Sequence, residues 1–354
     1  MLEDSLRTSL LALVGKNETP FFALSLEKLK QNEQEFLQTA RLYFPKLRVC
    51  YSVKTNQFPE VLKALSTGFE IASLEELRLV KSKKVFKVFN GCCKKEKELE
   101  EAVRQDAIVI ADSFSELEKL NAVRKKIKRK ALKIGVRLNV ASKFGIELSK
   151  IPEFLAKAEH CNCKVVLLHA HPGVQNSLKD YESFLKDFKA AVKLWDFEFL
   201  DFGSGFPSFP KMNSLGISLH DFLKVVKKEL GTTLDDKIIV FEPGRILVAD
   251  SMILVCKVCA VKELNGERIA VLDAGINVLQ KIVLESFEFE PLTENLGQKR
   301  QFKLVGPLLF GNDILGTTML NLKENDLIAV KNVGAYCASL AWEISYKKPK
   351  VFVL

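Results

Sequence analysis

No run of this sequence is apolar for long enough to cross a membrane, so a helical membrane span is not expected. The N-terminus carries Glu3 and Asp4 and only a short apolar run, Leu10 to Val14, which does not read as a signal peptide. The cysteines number eight but never complete a metal set. Cys256 and Cys259 have metal-like spacing, yet they lie in an apolar run that a strand would turn to opposite faces. Cys161 and Cys163, beside His160, find no second pair. Free thiols fit a reducing compartment, and the expected location is the cytoplasm. The basic run 125–130 has no interleaved aromatic residues and no accompanying motif, so a solvated helix face is expected there rather than a nucleic-acid site. Repeats and low-complexity segments are absent.

What is there is an alternation. The chain has 354 residues, 47% of them hydrophobic, with a formal net charge of +9. That length suits one large domain and one smaller one. From Thr19 to Phe241, short apolar runs alternate with helical stretches that open on serine caps, such as Ser25, Ser73 and Ser113. One helix per apolar strand predicts a parallel sheet with helices outside it. About eight such units point to a closed (β/α)8 barrel of the TIM type more than to an open doubly wound sheet. After about residue 250, strands dominate, which predicts a smaller, mostly β domain.

In such a barrel the strand C-terminal ends carry the chemistry. Val49-Cys50-Tyr51-Ser52-Val53-Lys54-Thr55-Asn56 places Lys54 at the end of a short buried strand. A lysine held in a site can act as a nucleophile or form an imine; alone, it reads equally as a solvated capping residue. His169-Ala170-His171-Pro172-Gly173-Val174-Gln175 follows another strand. It could supply a metal pair, though no carboxylate is near in sequence, or a flat ring for stacking. Asp201-Phe202-Gly203-Ser204-Gly205 is a phosphate cradle or an ordinary turn. Glu242-Pro243-Gly244-Arg245 sets a carboxylate, an approachable backbone and a guanidinium side by side. Gly334-Ala335-Tyr336 adds a phenol that can donate to a phosphate. An imine-forming lysine, a stacking ring, a phosphate cradle and a carboxylate for a protonated ring nitrogen together make the requirement list for pyridoxal 5′-phosphate.

With those motifs in this order, the chain resembles the pyridoxal-phosphate decarboxylases of the alanine-racemase-like fold, among them the ornithine, diaminopimelate and arginine decarboxylases. The resemblance runs from about Thr19 to the C-terminus. It implies a barrel over residues 26–248 and a β domain built from 1–25 and 249–354. It also implies a homodimer with active sites at the interface and a small amino-acid-type substrate. By the same resemblance, Lys54 is the Schiff-base lysine, His171 stacks on the cofactor, and Glu242 pairs with its ring nitrogen. Gly203, Ser204, Gly205, Gly244, Arg245 and Tyr336 hold the phosphate. Glu70 stands where the family commonly has aspartate near the lysine, and Glu76 and Arg137 belong to the surrounding layer. No metal is implied.

The chain also departs from the family. Val174 stands where a phosphate-binding serine is common. In Val305-Gly306-Pro307-Leu308-Leu309-Phe310, Leu309 replaces the cysteine that protonates the product across the dimer, and Phe310 replaces the acid that binds the substrate's far ammonium group. Asp313 remains as a candidate for lining the site, and Cys337 as a substitute proton donor. The reading is therefore a decarboxylase of an amino acid or an amino-acid conjugate. A racemase or epimerase on the same fold and an inactive decarboxylase-like regulator are the alternatives.

Overall fold

The computed structural model describes residues 2–140, 142–174, 177–280, 287–293 and 297–354. The chain divides into two compact units, Asn32–Ile246 and the pair Met1–Gln31 with Leu247–Leu354. The strands, in chain order, are β1 Phe21–Leu24, β2 Leu47–Ser52, β3 Gly68–Ile71, β4 Lys87–Phe89, β5 Ile108–Ala111, β6 Leu132–Arg137, β7 Cys163–His169, β8 Phe199–Asp201 and β9 Ile238–Phe241. They continue with β10 Met252–Leu264, β11 Glu267–Leu272, β12 Glu288–Pro291, β13 Arg300–Val305, β14 Ile314–Leu320, β15 Leu327–Lys331 and β16 Lys350–Val353.

Strands β2 to β9 form the closed parallel barrel the alternation predicts. Closure is made by β2 on β9, with Leu47 opposite Ile239 and Val49 opposite Phe241. These strands are apolar on both faces because both are covered: helices lie outside, and Cys50, Val88, Ile110, Val166, Leu167 and Val240 pack within. Helices begin at caps written in the sequence. Ser73 Oγ accepts the N–H of Glu76, and Ser177 Oγ accepts that of Asp180. Ser218 and Asp221 form a capping box.

Local differences from the sequence reading have local causes. Strand β6 stops at Arg137, and beyond it the amide of Asn139 donates to the carbonyls of Ser142 and Phe144, which turns the chain. A helix over Phe209–Leu215, not foreseen, starts at the Ser208 cap with Pro210 in its first turn and ends at Gly216, whose φ is +65°. The basic run 125–130 is exposed at a helix end, and two of its charges are paired, Lys126 with Glu100 and Arg129 with Asp106.

The second unit is a mostly antiparallel sheet in the order β12-β15-β10-β11-β13-β14. The N-terminal strand β1 joins it, antiparallel to β10 and parallel to β16. Phe21, Ala23, Ile253, Val255, Leu292 and Ala329 make its core, with Leu10 from the N-terminal helix Asp4–Val14. Strands β12, β14 and β16 escaped the sequence reading because they are short or rich in polar residues. In β10, Cys256 is buried and Cys259 exposed, so the pair does not converge on one ion. No helix among the described residues is long and apolar enough to cross a membrane.

Candidate active site

Every strand of the barrel delivers a polar or charged residue to its C-terminal rim. Strand β2 ends in Ser52, and one 3₁₀ turn, Val53–Thr55, presents Lys54. Glu70 lies on β3 opposite Ser52. Asn90 and Asp112 directly follow β4 and β5. Arg137, His169 and Asp201 end β6, β7 and β8 and stand in one register layer. Glu242 follows β9, and Gly244 and Arg245 come next.

Lys54 Nζ lies 2.6 Å from Glu70 Oε2, which also accepts the Ser52 hydroxyl at 2.6 Å. Glu70 is buried, whereas the Lys54 side chain is 45% exposed. Glu76 sits behind them. Its Oε2 accepts the N–H of Ala72 at 2.7 Å and its Oε1 the amide of Gln57 at 3.2 Å, and burial raises its carboxyl above the ordinary range.

A second network crosses the mouth. Arg137 Nη1 donates to Asn90 Oδ1 at 3.4 Å, and its Nε lies 3.9 Å from Asp112 Oδ1. That contact turns the Asn90 NH2 toward His169 Nε2 at 2.9 Å and Glu242 Oε2 at 3.4 Å. Glu242 is buried; burial raises its carboxyl, while Lys54, His171 and Arg137 pull it down. His169, Asp201 and Glu242 converge with ligating atoms within 4.8 Å of one another. The sequence offered no carboxylate near His169; the fold brings two.

His171 accepts the N–H of Gly173 on Nδ1 at 3.0 Å, which leaves its proton on Nε2. Desolvation lowers this histidine to about 4, so the ring is neutral at physiological pH. The glycines beside it are required by space. A Cβ on Gly203 would lie 2.8 Å from the His171 ring, one on Gly205 would overlap the carbonyl of Gly173, and one on Gly244 would overlap Thr55 Oγ1. The φ angles of Gly203 and Gly205 are +57° and +82°, where L side chains are strained. Ser204 and Arg245 are buried between these turns.

The candidates in the other unit have surroundings of their own. Leu309 is fully exposed, and Phe310 is half-exposed with its ring 6.3 Å from that of Trp342. Asp313, a candidate for lining the site, is buried under its loop. Its Oδ1 accepts the N–H of Ile276 at 2.7 Å and its Oδ2 that of Leu308 at 2.8 Å. Cys337 is buried, and Tyr336 takes the left-handed φ of +62°, which is uncommon for so bulky a residue. Of the first histidine motif, Gln175 lies outside the described residues.

The rim residues fit pyridoxal phosphate. A half-exposed lysine, a neutral flat imidazole, a cradle that any Cβ would fill and a buried carboxylate are the donor set that group needs. Ser52, Asn90, Asp112 and Asp201 are not singled out as site residues by the sequence, and His169 appears there only as half of a possible metal pair. The signal that finds them is position: each stands at, or one residue past, the end of a barrel strand.

Comparisons with known proteins agree with the geometry. The family model for the pyridoxal-binding domain of pyridoxal-dependent decarboxylases matches residues 30–249. Diaminopimelate decarboxylase of Aquifex aeolicus is 27% identical, over 90% of this chain and 82% of its own length. The lysine/ornithine decarboxylase of Selenomonas ruminantium is 25% identical, over 92% and 86%. Among solved structures, a variant of Helicobacter pylori diaminopimelate decarboxylase complexed with L-lysine superposes with a TM-score of 0.88 at 25% identity, covering 98% of this chain and 94% of that one.

Proposed function

We propose that this chain, which belongs to the pyridoxal-dependent decarboxylases, uses Lys54 to carry its cofactor and removes the carboxyl group of an amino acid, free or held in a larger conjugate. It is a pyridoxal-phosphate-dependent carboxy-lyase. When bound, the cofactor supplies the sink for the electron pair left behind as carbon dioxide departs. The chain's own residues do the rest. Glu70, hydrogen-bonded to Lys54, takes and returns a proton at Nζ. His171, neutral and held by Gly173, offers a flat face that brings no charge to the ring. Glu242 keeps a proton at the cofactor's ring nitrogen, which preserves the sink. The turns at Gly203–Gly205 and Gly244–Arg245 bring backbone N–H groups and a guanidinium to the phosphate.

The observation that carries this reading is the placement of Lys54 and Glu242 on the same barrel rim, at the ends of the hydrogen-bonded strands β2 and β9. For the substrate, the support is the resemblance at Leu309 and Phe310, which puts apolar residues where the family carries a cysteine and an acid. The substrate therefore lacks a free ammonium group at its far end or presents bulk there. The proposal also includes a homodimer, as the family resemblance implies.

The test is carbon dioxide release over a panel of free and conjugated amino acids. Higher kcat/KM for apolar or conjugated side chains than for lysine, ornithine and diaminopimelate is expected. The reverse order sinks the substrate assignment, and no release from any member sinks the decarboxylase reading of this chain.

A further inference from the structure

Asp201 and Glu242 stand at the ends of neighbouring strands β8 and β9, both buried, with carboxylate oxygens within 4.8 Å of each other. Two ionised carboxylates so close in a buried site repel, so one of the pair holds a proton and can donate it to the other. Asp201 Oδ1 accepts the N–H of Gly203 at 2.9 Å, and the carbonyl of that same Gly203 accepts the N–H of Glu242 at 2.7 Å. Among the described residues, no other donor reaches Asp201 Oδ2 or Glu242 Oε1. A single proton on the pair satisfies both oxygens.

His169 does not supply it. His169 Nε2 lies 2.9 Å from the Asn90 amide and 3.3 Å from Glu242 Oε2, so its contact is with that oxygen and not with Glu242 Oε1 or Asp201 Oδ2. Burial keeps that ring neutral. The other titratable groups around the pair are Cys50, Glu70, Arg137, His171, Tyr181 and Lys54. Burial pushes Cys50 and Tyr181 up, so both retain their own protons.

We propose that Asp201 is a positioning residue that holds the one proton of the Asp201–Glu242 pair and thereby keeps Glu242 as the carboxylate facing the cofactor's ring nitrogen. The proposal rests on the ring-nitrogen reading of Glu242 given above. Charge decides which partner is neutral. Lys54 and Arg137 favour the ionised form of Glu242, whereas Glu242 and Glu70 both oppose ionisation of Asp201. The pair then carries one negative charge, which matches one protonated ring nitrogen. Such a pair titrates as a unit rather than as two independent acids.

Infrared difference spectra and cofactor titrations on the purified holoenzyme test this. Asp201→Asn keeps an NH2 donor for Glu242 and an oxygen for the N–H of Gly203; Asp201→Ala keeps neither. The wild type is expected to show the carbonyl stretch of a protonated buried carboxyl at neutral pH, and Asp201→Asn to lack it. Asp201→Asn is expected to bind pyridoxal phosphate within about threefold of wild type, and Asp201→Ala about tenfold to hundredfold more weakly. An unchanged infrared band in Asp201→Asn overturns the proposal, and so do equal affinities of the two variants. Should Asp201→Ala fail to fold, the infrared band of Asp201→Asn still decides. Glu242→Gln separates the ring-nitrogen contact from the proton on the pair. If it leaves cofactor affinity and the pH dependence of the visible spectrum unchanged, the ring-nitrogen reading fails, and with it the positioning role; if the carboxyl band also persists without the Glu242 carboxylate, the proton is not shared and the pair itself is overturned.

Discussion

Ser52 and Glu70 face each other in register across β2 and β3, and the Glu70 oxygen that accepts the Ser52 hydroxyl at 2.6 Å also holds Lys54 Nζ at 2.6 Å. A serine on the strand thus fixes the carboxylate, and the carboxylate fixes the lysine. Glu70→Ala should lower kcat by about 10²- to 10⁴-fold, the range of a lost proton-transfer group. Glu70→Asp, the family's common residue at this position, should recover most of it. Equal loss in both variants would show that reach, not the carboxylate, is what matters.

His171 carries a pH signature. Burial holds it at about 4 in the native chain, against about 6.5 when exposed. Between those values the unfolded chain binds a proton that the native state does not, so stability is lost as pH falls from about 6.5 to about 4. His171→Gln removes this contribution. The stability of wild type relative to the variant, from urea unfolding, should drop across that window and stay flat on either side. A flat difference throughout would place His171 in contact with water.

Lys94 and Glu116 form an ion pair at 2.8 Å with side chains 1% and 3% exposed. Glu116 also accepts the N–H of Asp112 at 2.8 Å, and Asp112 in turn faces Arg137 of the rim. Lys94→Met leaves Glu116 buried with its charge unmatched and should cost about 3–5 kcal/mol. Chemical denaturation measures it, and a loss under about 1 kcal/mol would mean that water reaches the pair.

Asp313 organises its loop. Its two oxygens take the N–H groups of Ile276 and Leu308, and a Cβ on Gly275 would come within 2.7 Å of its carboxylate. Asp313→Ala should cost about 2–3 kcal/mol, the range for buried hydrogen bonds to a charged group. A variant of unchanged melting temperature but altered substrate preference would instead support the site-lining role first expected of this residue.

The barrel was legible because each strand is a short apolar run and several of the following helices open on a serine cap, as at Ser73, Ser177 and Ser218. The β domain was only partly legible. Strand β14 contains Gly316, Thr317 and Thr318, and β16 begins at Lys350, so neither shows a clear apolar alternation. The site split along the same line. Lys54, His171 and Glu242 sit in motifs that a reader can find, whereas Asn90 and Asp201 gain meaning from partners 152 and 41 positions away in sequence, which only strand register brings together. Asp313 reads from sequence as a candidate for lining the site, whereas its hydrogen bonds to the N–H groups of Ile276 and Leu308 come from folding that no motif announces.

The most direct test of the central claim, that Lys54 carries pyridoxal phosphate on the barrel rim, is the visible absorption spectrum of the purified protein beside that of Lys54→Ala. A yellow, lysine-linked chromophore is expected in the wild type and is expected to be absent from the variant at equal cofactor concentration. A wild-type protein that stays colourless after addition of pyridoxal phosphate, or a variant that keeps the band, would contradict it.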